Sequence, residues 1–480
     1  MRLAFLVLVC ALAAPRALAQ ALPDLGSVGD VVLSPQTERR IGERIVRDIR
    51  FRDPHYLDDP EILDYLSKLG MRLVRANASA RSDFEFFAMR DSVVNAFALP
   101  GGFVGVNTGL LMLADSESQL ASVLAHEIAH VSQRHIARML GQEQQLQMPM
   151  LAALAAAILL GHANPDLATG AVAAAQAGAI QSQLGYSRDF EREADRIGLR
   201  TLMAAGFDPR AMAAMFEKLQ RANRVSEDST LPGWLRTHPM TVERIADAQN
   251  RAAHTPYKQY VDSLDFHLVR AKLRAESGEP ERAVAYFRAA LREKRYASEA
   301  ATRYGLAAAL LREGKSAEAA AELARLRAAG AASPMIELLD ARVKQAAGER
   351  RAADAVLARA AERYPESRAL AYARASALQA EARHEDALAV LRESLRAYPH
   401  DARLYTLQAK SYAALGKRLL QHQAQGEAYA LQGSLPAAIE QLQLARAAGD
   451  GDFYQLSMVD ARLKELRARH AEELREQQRR

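Results

Sequence analysis

Taken as hydrophobic and polar positions alone, the chain passes through three textures. Residues 3–14 form one short apolar run, below the roughly 18 residues a bilayer span needs. From residue 34 to about 255, helical and strand periods alternate. Helical spacing places Ile41 and Ile45 on one side of a helix begun by Ser34-Pro35. It places Ile62, Leu63, Tyr65, Leu66 and Leu69 on one side of a second, begun by Asp59-Pro60. Three short strands follow, Phe84 to Met89, Val93 to Ala98 and Phe103 to Asn107, with a tight Pro100-Gly101-Gly102 connection before the last. Leu120, Val123, Leu124, Ile128 and Val131 then recur at helical spacing. They predict a buried helix from Ser116 to Leu140, stopped at Gly141, with Ser116 and Gln119 at capping-box spacing. Residues 148–185 begin as an apolar run and continue Ala/Gly-rich. That stretch fits a buried, interfacial or re-entrant helix: either a mobile flap beside the site, with peripheral membrane contact, or a plain core helix.

The third texture begins near Tyr257, where the chain turns rich in Ala, Arg, Leu and Glu. A small residue, an alanine five further on and a large apolar residue four beyond that recur. They appear as Gly278, Ala283, Phe287; Gly314, Ala319, Leu323; Gly348, Ala353, Leu357; Ala382, Ala387, Leu391; and Gly433, Ala438, Leu442. The starts lie 36, 34, 34 and 51 residues apart, and Tyr364-Pro365 and Tyr398-Pro399 repeat the 34. This is the tetratricopeptide period, in which paired helices stack and each repeat buries its neighbour's face. The long last interval predicts one extra helix around 402–423. The expected fold class is mainly α: an α+β domain with a small sheet, then an all-α repeat solenoid. The expected segments are 1–19, 20–255 and 256–480, with the last two folding separately because repeats contact mainly one another.

Composition changes this picture at the N-terminus. Met1-Arg2 is a basic start, Leu3 to Ala14 an apolar core, and Ala17-Leu18-Ala19 a small-x-small site before Gln20. Residues 1–19 therefore read as a cleaved secretory signal, which sends the mature chain into an oxidising compartment. The single cysteine, Cys10, lies in that segment, so disulfides are not expected. With Arg2 and Arg16 removed, the formal charge of +5 falls to +3, too small a surplus to point to nucleic acid.

The chemistry is concentrated in His126-Glu127-Ile-Ala-His130 on the predicted buried helix. Residues four apart lie one turn above each other, as two ligands of one zinc ion must. Glu127 can reach a water at the open metal position and act as general base. A catalytic zinc needs a third protein ligand. His135 is off the face at i+5, and the candidate is Glu191 in Ser187-Arg-Asp-Phe-Glu191-Arg-Glu193-Ala194-Asp195, a second helix ending near Gly206. Glu191 and Asp195 share a face, while Glu193 lies about 200° round from Glu191 and points away. Glu191 is thus expected to bind the metal, and Asp195 to receive the N–H of His126 and fix its tautomer. His238, in a Pro/Gly-punctuated loop from Leu231 to Pro239, has three open roles: oxyanion stabiliser, latch on the fourth zinc position, or helix-capping loop residue. The sheet ahead of the helix is either a backbone-pairing edge for an extended substrate or a purely structural element.

With these motifs the chain resembles the gluzincin peptidases of the HtpX and CAAX-prenyl-protease family, and within it the soluble periplasmic group that carries a repeat domain. Phe97-Ala-Leu-Pro-Gly-Gly and the Glu191-x-x-x-Asp195 helix carry the resemblance beyond the first motif. It implies one zinc per chain and endopeptidase activity in quality control and assembly of outer-membrane β-barrel proteins. Misfolded or stalled barrels would be the substrates, and the repeats would dock the barrel-assembly machinery. It also implies that the histidine at position 238 gates the site. The alternative is an assembly factor that works mainly by binding, with its protease site latched. The intact Glu127 favours the enzyme.

Overall fold

The computed structural model describes residues 33–80, 83–142, 188–225, 234, 237–256 and 258–478. The signal-like segment 1–19, the stretch 148–185, Ser187, Pro232 and Gly233 lie outside the described residues.

Helix α1 (Pro35–Arg52) begins where Ser34 accepts the Thr37 N–H, and α2 (Pro60–Ala76) where Asp59 accepts those of Glu61 and Ile62. The strands are β1 (Glu85–Met89), β2 (Ala96–Leu99) and β3 (Phe103–Asn107), in spatial order β1-β3-β2. β1 runs parallel to β3 and β2 antiparallel to it. The second strand in the chain, β2, starts later than its apolar pattern suggests. Asp91 accepts the Val93 N–H at 2.8 Å, and Asn107 Nδ2 bonds both Asp91 and the Val93 carbonyl, so residues 93–95 belong to a side-chain-stapled turn. Gly101 (φ 78°) and Gly102 (φ 96°) supply the left-handed corner before β3.

After the short α3 (Thr108–Leu113) comes α4 (Glu117–Ser132), and here sequence and structure part. The expected helix to Leu140 is broken at Gln133-Arg134. Arg134 takes φ 53°, and a second helix, α5 (His135–Gln142), sets off in a new direction. Arg134 is held there by the Leu33 carbonyl and, at 3.0 Å, by Glu38, contacts about a hundred residues distant in sequence. Helices α6 (Arg188–Ala204), α7 (Arg210–Val225) and α8 (Val242–Ala253) complete the first part, α6 lying along α4.

Twelve further helices follow among the described residues, α9 (Leu264–Glu276) to α20 (Phe453–Gln478), in antiparallel pairs. Left-handed residues end the first helix of successive pairs: Gly278, Gly314, Gly348, Ala382 and Gly416. Gly416 continues the 34-residue series, and the long interval from Ala382 to Gly433 holds three helices where a 34-residue interval holds two, so the one extra helix expected there is present: α16 (His384–Ala397), α17 (Ala402–Ala414) and α18 (Arg418–Leu431). No helix among the described residues is long and apolar enough to cross a membrane.

The two parts do not pack as separate bodies. One apolar core runs from Leu57, Leu66, Leu124 and Phe216 on to Phe266, Tyr304 and Val343, drawing residues from both sides of position 256. The acidic start of α2 lies along the first helices of successive pairs. Lys272, nearly fully buried, pairs with Asp59 at 2.6 Å and with Glu61. Arg342 reaches Glu61 at 3.2 Å, Arg368 reaches Asp64 at 2.9 Å, and Arg403 reaches Asp58 at 3.6 Å. The first repeats thus bury the face of the preceding domain as well as one another's.

Candidate metal centre

Ser116 caps α4 through the Gln119 N–H at 3.2 Å, and the helix is buried along nearly its whole length. Helical phase therefore puts His126, Glu127 and His130 inside, with His126 and Glu127 fully shielded from solvent. The Nε2 atoms of His126 and His130 lie 3.0 Å apart. Helix α6 can approach because small residues lie at the crossing. Ala194 packs on Ala129, and a side chain at Gly198 would come within 3.1 Å of the His126 backbone nitrogen.

That approach delivers the expected pair of carboxylates. Glu191 Oε1 is 3.4 Å from His130 Nε2, and its Oε2 is 3.5 Å from His126 Nε2. Asp195 Oδ1 is 2.9 Å from His126 Nδ1. His238 completes the group, its Nδ1 2.9 Å from Glu191 Oε1 and 3.3 Å from His126 Nε2. One ligand atom each from His126, His130, Glu191 and His238 lies within 4.8 Å of all the others, and all four residues are buried. The donor set suits a divalent ion of the zinc type. With Nδ1 of His126 on a carboxylate, its Nε2 presents a lone pair to a second imidazole and to a carboxylate, and a cation between them satisfies all three.

Burial and the neighbouring charges pull against each other at four of these groups. Burial opposes charge on His126, but Asp195 and Glu191 outweigh it and hold its pKa up to about 9. Burial, against the pull of Glu191, pushes His130 well below the usual imidazole value. Burial also works against ionised Glu191, yet His238, His126 and His130 hold its carboxyl well below the ordinary range. Asp195 is lowered in the same way, Arg244 and His126 overcoming its burial.

Three contributors were not read from the sequence. Arg244, buried on α8, grips Asp195 through Nε at 2.7 Å and Nη2 at 2.8 Å, and reaches Glu191 Oε2 with Nη1 at 2.8 Å. Trp234, the only tryptophan in the chain, donates its indole N–H to Glu127 Oε1 at 2.9 Å. Glu127 Oε2 is buried with no hydrogen-bond partner among the described residues. The third is His135, which i+5 spacing takes off the face of a continuous helix. The break at Arg134 returns it to the site, where its Nδ1 lies 2.8 Å from that of His130. Burial, reinforced by Arg138, takes its pKa down to about 4. Glu193 points away from the ligand group, as its phase predicts, and meets His135 Nε2 at 3.3 Å. Along β2, a cleft of about 50 Å³ is lined by Ala98, Leu99, Pro100, His130, Val131 and Arg134.

Residues 63–252 match the model of peptidase family M48. The chain is 33% identical over 458 residues to the beta-barrel assembly-enhancing protease of Escherichia coli (strain K12), covering 94% of this chain and 92% of that protein. It is 42% identical over 252 residues to the putative beta-barrel assembly-enhancing protease of Vibrio cholerae, covering 52% of this chain and 51% of that one. A solved structure, YrrB, described as a TPR protein with an unusual peptide-binding site, is 19% identical. That match covers 42% of this chain and 97% of that one, with a TM-score of 0.29.

Proposed function

The chain belongs to peptidase family M48 and is a metalloprotease, and on that footing we propose a zinc-dependent endopeptidase of the periplasm acting in quality control and assembly of outer-membrane β-barrel proteins. The observation that carries the zinc reading is the convergence of His126, His130 and Glu191 beside Glu127 in one buried site. The name of the Escherichia coli relative supports the β-barrel substrates, and the signal-like segment 1–19 supports the compartment.

His126, His130 and Glu191 would hold the ion, with Asp195 orienting His126. A zinc ion there supplies Lewis acidity, polarising a peptide carbonyl and acidifying a water. Glu127 is the general base. Trp234 anchors its Oε1, leaving Oε2 to take a proton from the attacking water and return it to the leaving amine. The outer side of β2, bordering the cleft beside His130, offers an extended substrate its backbone-pairing edge. Misfolded or stalled barrel proteins supply such segments. Docking of the assembly machinery falls to repeat surfaces not engaged with α2.

A second reading has its own observation: His238 stands inside the ligand group. A histidine in the fourth position suits a chain that assists assembly mainly by binding and opens its protease site rarely.

The test is metal analysis of the purified mature chain, together with cleavage of an unfolded outer-membrane protein by wild type and Glu127→Gln. One zinc per chain and a loss of about 10²–10⁴-fold in the variant are expected. A variant that cleaves like wild type overturns the mechanism, and a chain that retains no zinc overturns the metal assignment.

A further inference from the structure

His135 is fully buried, and its ring lies on Phe190 at 4.6 Å between centroids and 16° from parallel, so its two nitrogens have fixed directions. Nε2 faces Glu193 Oε2 at 3.3 Å, and Arg138 Nη1 donates to the same oxygen at 2.8 Å. An ionised carboxylate only accepts, so the N–H in the first contact belongs to His135 Nε2. A neutral imidazole has one N–H, which leaves His135 Nδ1 as an acceptor. That atom lies 2.8 Å from His130 Nδ1, so the proton between the two rings belongs to His130. His130 Nε2 is then bare, and it is the atom 3.4 Å from Glu191 Oε1 and 3.0 Å from His126 Nε2.

We propose that Glu193 and His135 form a hydrogen-bonded relay that fixes His130 in its Nδ1–H tautomer and aims its Nε2 lone pair at the metal position. Both are positioning residues. The relay rests on the reading of His130 as a ligand. It pairs with a separate device at His126, whose Nδ1 meets Asp195 directly at 2.9 Å. Two carboxylates on α6 thus orient two histidines on α4, one by contact and one through an intervening ring. The left-handed Arg134 makes the second arrangement possible, because a continuous α4 would carry His135 away from His130. Groups that orient ligating histidines are worth about 10–100-fold in metal affinity when removed.

The experiment uses full-length mature protein carrying 15N-labelled histidine. Side-chain nitrogen spectra are recorded before and after zinc addition, and zinc affinity is measured by competition with a chromophoric chelator. His135→Phe keeps the stack on Phe190 and removes the acceptor. Glu193→Gln, at a partly exposed position, presents an amide that can donate to His135 and reverse the relay. In wild type before zinc addition, His130 is expected to carry its proton on Nδ1. In both variants His130 shifts toward the Nε2–H form, the His126 pattern stays unchanged, and zinc affinity falls about 10–100-fold. A His130 that keeps Nδ1–H in the variants, or an affinity that does not change, overturns the relay. Should His135→Phe fail to fold, Glu193→Gln decides alone. A wild type that binds no zinc refutes the ligand reading, while the tautomer spectra still decide the relay.

Discussion

Trp234 joins Glu127 to His238: its indole N–H bonds Glu127 Oε1 at 2.9 Å, and its ring stacks on His238 at 4.7 Å between centroids. The bond ties down one oxygen of a fully buried carboxylate, and the other has no hydrogen-bond partner among the described residues. Trp234→Phe keeps a stacking ring and removes the donor. Losing a hydrogen bond to a charged group costs about 1.5–3 kcal/mol, or about 10–100-fold in kcat if it is needed at the transition state. Peptide kinetics should show that fall with zinc content unchanged. An unchanged kcat would mean that Glu127 is positioned without the indole.

Arg244 holds both α6 carboxylates from behind, and its pair with Asp195 is buried on both sides. Removing one partner of a buried ion pair leaves the other uncompensated, typically at about 3–5 kcal/mol. Arg244→Met should lower the urea midpoint and weaken zinc retention together. Arg244→Lys should recover only part of either, because an ammonium cannot make the two-pronged contact. A Met variant as stable as wild type would remove Arg244 from the site's support.

The parts of this site that were legible in the sequence are those fixed by phase along one helix. His126 and His130 share a face of α4, Glu191 and Asp195 share a face of α6, and Glu193 leaves it, all from 3.6-residue periodicity. What escaped depends on contacts between distant segments. Gln133-Arg134 contains neither Gly nor Pro, and the break there follows from Leu33 and Glu38 gripping the Arg134 side chain. His135 was discarded by the correct phase rule applied to a helix that ends sooner. Arg244 stands in an ordinary amphipathic helix and carries no local mark. In the repeats the 34-residue period was visible, but Gly416 was missed because Gln421 stands where the pattern has alanine.

The first repeat helix and the metal-site helix are capped by each other's approach residues. Glu117, at the start of α4, gives its N–H to Asp262 at 2.8 Å, and its carboxylate accepts from Ser263 N at 3.0 Å and Ser263 Oγ at 2.6 Å. Phe266 and Tyr304 lie in the same core as Leu124 and Phe216. Deleting residues 257–480 should therefore expose that core and free the start of α4, giving an aggregated product without bound zinc. The milder Asp262→Ala should cost about 1 kcal/mol, the usual value of a helix cap. Gel filtration and metal analysis of the deletion check the first expectation. A soluble, monomeric, zinc-loaded fragment would show that residues 20–255 stand alone.

His238 occupies a corner of the ligand group, with Nδ1 2.9 Å from Glu191 Oε1 and Nε2 3.4 Å from Glu127 Oε1. Zinc with three protein ligands has a fourth position to fill, and a histidine there competes with the water that the reaction needs. The His238 N–H bonds the Trp234 carbonyl at 2.9 Å, so ring stack and backbone together hold the imidazole in place. Opening the site then requires the Trp234–His238 pair to move as a unit, and such a restraint suits a protease surrounded by unfolded chains. As a latch, His238→Ala should raise the rate on a short unstructured peptide that needs no docking to the repeats. As an oxyanion stabiliser, the same residue predicts the opposite, a loss of about 10²–10³-fold in kcat. The place of Nδ1 beside both Glu191 Oε1 and His126 Nε2 supports the latch. The peptide rate of His238→Ala is expected to rise while its zinc content holds. A fall would sink the latch as the dominant role, and an unchanged rate would remove both.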